Sequence, residues 1–143
     1  MKIKFPKKIN KKNLNFFFTT HGMKEIVKYP KKKPNLINSF YNIGKKAEQP
    51  DLVDLYRIYK FITLNKRTTV LEFGSGWSTL VIQEALRFNK INHSHKTKNL
   101  RRNNLYELFV LETNKKYLDI TKKRINKFNN KLIKNKIKLN WTL

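Results

Sequence analysis

Two carboxylates and two glycines are the groups in this chain best suited to chemistry. Glu72 stands just ahead of a glycine turn in the run TVLEFGSGWSTL at 69–80. Val70, Leu71 and Phe73 read as the end of a strand, and Gly74-Ser75-Gly76 as a turn. Trp77-Ser78-Thr79-Leu80 then opens a helix. A strand, a glycine turn and a helix N-terminus in that order make a cradle for a nucleotide-like ligand. Glycine lets the backbone approach a ligand with no Cβ in the way. The helix start offers free N–H groups and a partial positive charge. Taken alone, a G-x-G fits an ordinary turn between strand and helix equally well. Glu112 follows a second apolar run, YELFVL at 106–111. One carboxylate at such a place can accept hydrogen bonds from two adjacent hydroxyls; it can equally be a solvated acid at a helix start.

The spacing excludes one reading and favours another. A dinucleotide fingerprint wants a third glycine at 79, where Thr79 stands. Glu72-Phe73-Gly74-Ser75-Gly76 instead resembles motif I, E/D-x-G-x-G, of the class I S-adenosylmethionine-dependent methyltransferases. The resemblance spans roughly residues 50–142 and is strongest at the glycine turn. It implies S-adenosyl-L-methionine as cofactor, with Glu72, Phe73, Gly74, Ser75, Gly76, Trp77 and Ser78 around its methionine portion. In that family the acid before the turn sits close to the methionine ammonium. The resemblance likewise implies that Glu112, with Thr113 beside it, holds the ribose hydroxyls. The acid usually lies about 20 residues past the glycines; here the polar stretch 89–104 accounts for a longer interval. The implied activity is methyl transfer. Neither an acceptor nor a catalytic base can be named.

Other chemistry finds little support. The chain of 143 residues has no cysteine, which removes disulfides and thiolate metal sites. His93 and His95 could meet one metal on an extended segment, but their Lys/Asn-rich surroundings lack a carboxylate. The formal charge is +24. A surface that basic admits nucleic acid as a partner, with Lys7, Lys8, Lys11, Lys12 and the lysines at 31–33 as the footprint. The excess is lysine alongside abundant asparagine and isoleucine, the residues of A/T-rich codons, so genome composition explains it as well. A membrane span needs about 20 apolar residues, and no run approaches that length. The apolar stretch 14–18 is too short for a signal-peptide core, which leaves the cytoplasm as the default setting.

The elements that must position these groups follow from periodicity. Residues 1–13 read as a mobile basic arm, 14–20 as a short strand or an anchor, and 24–34 as an extended connector. Phe40, Tyr41 and Ile43 in 35–49 suit a lid or substrate wall, or plain packing on the sheet. Pro50, Asp51 and Asp54 start a helix over 50–64 whose Leu52, Leu55, Tyr56, Tyr59 and Ile62 recur at helical spacing. The run 68–73 is apolar enough for a parallel strand covered on both faces. A helix over 77–89, capped by Ser75 or Ser78, a loop over 89–104 and a strand over 106–111 follow. Thr113 is the expected N-cap of a helix over 114–130, and 136–142 alternates like a strand.

The expected class is therefore α/β: a Rossmann-like three-layer α/β/α unit over 50–143 with a basic extension over 1–49. Right-handed crossovers give a partial parallel sheet ordered 3-2-1. Its first strand would then be an unprotected edge. Three remedies suggest themselves: cover from Phe16–Phe18, pairing with a second chain, or a longer reading frame, the last preferred.

Overall fold

The computed structural model describes residues 2–28, 50–131 and 136–143. Eight elements follow in order: α1 (Lys11–Thr20), α2 (Lys24–Lys28), α3 (Leu52–Leu64), β1 (Thr69–Phe73), α4 (Trp77–Thr97), β2 (Glu107–Leu111), α5 (Lys115–Asn129) and β3 (Lys138–Thr142). The strands form one sheet in the order β1-β2-β3, parallel throughout. The class is α/β. Among the described residues no helix is long and apolar enough to cross a membrane.

The sheet has two unlike faces. Across the register, Val70, Leu108 and Leu139 make one row and Glu72, Val110 and Trp141 the next on the same face. Leu108 and Val110 are fully buried there, in one core with Leu80, Val81, Ala85 and Leu86 of α4. Ile125 and Phe128 of α5 and Ile62 of α3 join that core. The opposite face carries Leu71, Phe109, Phe73 and Leu111. It stays open: Leu71 is 54 % exposed, Phe73 79 % and Leu111 37 %. The expectation that 68–73 is covered on both sides is corrected here. The apolar run is continuous, but among the described residues only one of its faces meets a helix layer.

Residues 14–20 form a helix rather than a strand. Asn10 caps it, its Oδ1 accepting from Lys12 N at 3.1 Å. Leu14 and Phe18, four apart and so on one face, are both buried. Phe17 meets Tyr56 and Tyr59 of α3 edge-on, at 5.0 and 4.9 Å between ring centres, while Phe16 is 72 % exposed. The phenylalanine run thus packs on α3, not along the free side of β1. The arm ahead of it is placed as well. Lys4 and Asn65 exchange two bonds, Lys4 N to Oδ1 and Nδ2 to Lys4 O, each 2.8 Å. Residues 24–28 are helical where an extended connector is expected; 29–34, and the candidate lid over 35–49, lie outside the described residues.

The stretch read as a loop over 89–104 is helical as far as Thr97. It is polar, but it contains neither glycine nor proline to stop the helix. Asn89 is fully buried, and its Nδ2 donates to Ile62 O at 3.0 Å and Arg67 O at 2.9 Å. It ties α4 to the turn that delivers β1. Thr97 Oγ1 lies 3.2 Å from Tyr106 Oη, joining the far end of α4 to the entry of β2. His93 and His95 are therefore two apart on a helix, where side chains do not share a face.

Candidate functional site

The C-terminal ends of β1 and β2 lie side by side, with Glu72 paired to Val110 and Phe73 to Leu111. Each strand then delivers its acid to the same place. The glycine turn leaves β1 at Gly74, whose N–H donates to Leu111 O at 2.7 Å. Gly74 has φ +84°, a left-handed conformation that favours glycine. Gly76 has an extended φ of 176°. A Cβ built on either glycine would meet nothing within 4 Å, so the space in front of the turn is open.

Helix α4 begins at Gly76, which supplies no side-chain cap. The expectation that Ser75 or Ser78 caps it is corrected by where their hydroxyls go. Ser78 Oγ donates to Glu72 Oε1 at 2.6 Å. Ser75 Oγ donates to Glu112 Oε2 at 2.9 Å, and Ser75 N donates to the same oxygen at 2.8 Å. Each serine is spent on one acid. Thr79 Oγ1 turns back to accept from Gly76 N at 2.9 Å. Among the described residues no side chain caps the first-turn N–H groups of α4.

Glu112 is 9 % exposed and held at both ends. Oε2 takes the two Ser75 bonds and Oε1 accepts from Asn114 N at 2.9 Å. Its own N–H donates to Thr142 O at 3.0 Å, which hangs the acid on β3. Asn114, not Thr113, caps α5, its Oδ1 accepting from Lys116 N at 3.0 Å and Tyr117 N at 3.4 Å. Thr113 is exposed beside it. The shift by one residue has a cause: Glu112 takes the Asn114 N–H, which holds the chain extended for one residue more.

Glu72 is equally buried, at 9 % exposure, but its bonds are incomplete. Oε1 has Ser78; Oε2 has no hydrogen-bond partner among the described residues. Burial pushes this carboxyl above the usual carboxylate range. The nearby Ser78 and Thr79 hydroxyls oppose the shift, and the neighbouring Glu112 charge adds to it. A cation reaching Oε2 would complete the set and reverse the balance.

Trp77 and Phe73 stand at the edge of the cradle. Phe73 points out on the open sheet face. Trp77 is half-buried and carries the Arg124 guanidinium 3.6 Å from its ring centre. Beyond Glu72 and Ser78 a cleft of about 910 Å³ runs along β1, between that strand, α3 and the Phe5-Pro6 segment. Neither this cleft nor the Ser75–Glu112 bonds have a signal in the sequence, since both depend on segments brought together only by folding. Comparison with family models, with curated proteins and with solved structures gives no match to this chain.

Proposed function

We propose that the chain is a class I S-adenosylmethionine-dependent methyltransferase, or the cofactor-binding half of one. One observation carries the reading. A buried carboxylate oxygen, Glu72 Oε2, has no hydrogen-bond partner among the described residues, two residues ahead of an open glycine turn. An unmet buried acceptor of this kind costs about 1–3 kcal/mol. The methionine ammonium of the cofactor is a donor that fits it. Glu112 supplies the second half of the fit. It already accepts three bonds, two from Ser75 and one from Asn114, and of a carboxylate's about four acceptor positions one remains for a ribose hydroxyl.

The bound cofactor would supply a sulfonium methyl for direct displacement by an acceptor. The chain's own part is alignment. Glu72 fixes one end of the ligand by charge and Glu112 the other by hydroxyl recognition. Gly74 and Gly76 let the backbone come close, and Phe73, Trp77 and Ser78 wall the turn. We place the unit as Rossmann-like, with the order β1-β2-β3 forming one wing of a three-layer α/β/α sheet.

Calorimetric titration with S-adenosylhomocysteine at moderate salt tests this. Saturable binding is expected, weakened about 10- to 100-fold by Glu112→Ala, the loss of hydrogen bonds to a charged acceptor. A folded chain that takes up no ligand would remove the proposal.

A second reading rests on charge. The net +24 and the exposed Lys115, Lys116, Lys123 and Lys127 of α5 favour a basic module that binds nucleic acid without catalysis. Binding to any duplex, falling steeply with salt and indifferent to Glu112→Ala, would support it.

A further inference from the structure

β1 is the edge of the sheet. It pairs with β2 on one side, from Thr69–Glu107 to Phe73–Leu111. Its other side offers a row of backbone N–H and C=O groups to which no strand among the described residues is paired. Edge strands are normally blunted by charge, proline or a bulge. TVLEF has one charge, Glu72, and that side chain turns to the buried face beside Val110. The exposed face at this edge shows only Thr69, Leu71 and Phe73. Parallel sheets ordinarily have both faces covered.

The space beside this edge is shaped for a strand. The cleft of about 910 Å³ follows β1 for its length, with Val70 and Leu71 on one side and Ile58, Phe61 and Ile62 of α3 on the other. β1 has five residues, about 17 Å of strand. Two arginines sit in the same lining, Arg57 and Arg67. Arg57 holds Asp54 at 2.9 Å, but both side chains are about 60 % exposed, and a surface pair like this contributes little. It can change partner readily. The Arg67 guanidinium lies 5.9 Å from the Phe61 ring centre, on the apolar wall itself.

We propose that the free edge of β1 binds an extended segment of an acidic polypeptide, which adds to the sheet as a further strand. Its apolar residues fill the cleft against Phe61 and cover Leu71, and its carboxylates meet Arg57 and Arg67. Charge selects this occupant over a second copy. Two chains of +24 repel each other on approach, whereas an acidic segment is steered in. Main-chain bonds supply affinity in strand addition, and the side-chain pockets supply choice. Glu72 and Ser78, assigned above to the cofactor, also line the cleft, but strand addition needs no bound cofactor.

Fluorescence anisotropy with the full chain at moderate salt tests it. The probes are three labelled peptides: a Val/Ile run flanked by glutamates, a twin flanked by lysines, and the glutamate peptide N-methylated on alternate amides of the run. Saturable binding of the glutamate peptide is expected, at least about tenfold tighter than its twin, a difference of 1.4 kcal/mol. N-methylation should abolish it, and Leu71→Asp and Arg67→Glu should each weaken it about tenfold. Equal binding of the methylated peptide would reduce the effect to charge alone and overturn the proposal, as would no saturable binding. A dimer in sedimentation equilibrium that Leu71→Asp disperses would assign the edge to a second copy and also overturn it. Should a variant fail to fold, the methylated peptide decides without it.

Discussion

Ser75 and Glu112 lie 37 residues apart in sequence and share two hydrogen bonds, from the serine backbone N–H and from its hydroxyl, to one carboxylate oxygen. The acid at the end of β2 therefore shapes the glycine turn at the end of β1. The two bonds separate by substitution. Ser75→Ala removes the hydroxyl and keeps the N–H, so a loss of about 1 kcal/mol is expected. Glu112→Ala removes both and also releases Asn114 N, for a loss of about 2–3 kcal/mol. Urea unfolding of the two variants gives the comparison; equal losses would show that the turn does not depend on the acid.

Glu72 predicts an unusual pH dependence. Its folded carboxyl is raised above the unfolded value, chiefly by burial. The native state then binds more protons than the unfolded chain above the ordinary glutamate range. Stability must fall as pH rises through that window to the folded pKa. Glu72→Gln should flatten this slope and raise stability at neutral pH by roughly 1 kcal/mol, while weakening ligand binding. Thermal melts of both proteins across acid to neutral pH would test it, and parallel curves would contradict it.

The two glycines should fail differently. Gly74→Ala imposes φ +84° on a residue with a Cβ, which costs about 1–2 kcal/mol without any clash. Gly76→Ala meets neither clash nor a left-handed φ, so its loss should stay within about 1 kcal/mol, the difference between glycine and alanine as N-cap. If a ligand lies against the turn, Gly76→Ala should nonetheless abolish its binding. A stable Gly76→Ala protein with unchanged affinity for S-adenosylhomocysteine would place the ligand elsewhere.

Helix α1 gives a test of the fold. Phe18 is fully buried and Phe16 is 72 % exposed, two residues away. Phe18→Ala should cost about 3–5 kcal/mol, Phe16→Ala within about 0.5 kcal/mol. Comparable melting temperatures would detach α1 from the core.

The sequence carries what is periodic or local. Leu55, Tyr59 and Ile62 mark α3 at helical spacing, and Ile137, Leu139 and Trp141 mark β3 by alternation. The faces of α1 were masked because Phe16, Phe17 and Phe18 are adjacent, and only packing tells which one is buried. Asn89 misled in another way. A polar residue looks like loop, yet here the carbonyls of Ile62 in α3 and of Arg67 in the turn accept from its Nδ2 inside the core. Glu72, Gly74, Gly76 and Glu112 were legible as a set, and the turn brings them together. That one acid would have most of its acceptor positions filled by Ser75 and Asn114 and the other be left half-bonded depends on rotamers, which spacing does not carry.

The length of α4 sets a distance. At 21 residues it is about 32 Å long, against about 17 Å for the strands it covers. Asn89 marks where the helix passes the entrance of β1, and Lys90 to Lys96 continue beyond it as an outrigger. Along the helix axis Lys90 stands about 20 Å from Trp77 and Lys96 about 29 Å, more than two screening lengths at physiological salt. Salt therefore screens most of the interaction between exposed charges on the outrigger and at the mouth of the cradle. A polyanion gripped at the far end should disturb the turn little, so the two ends of one helix can be loaded separately.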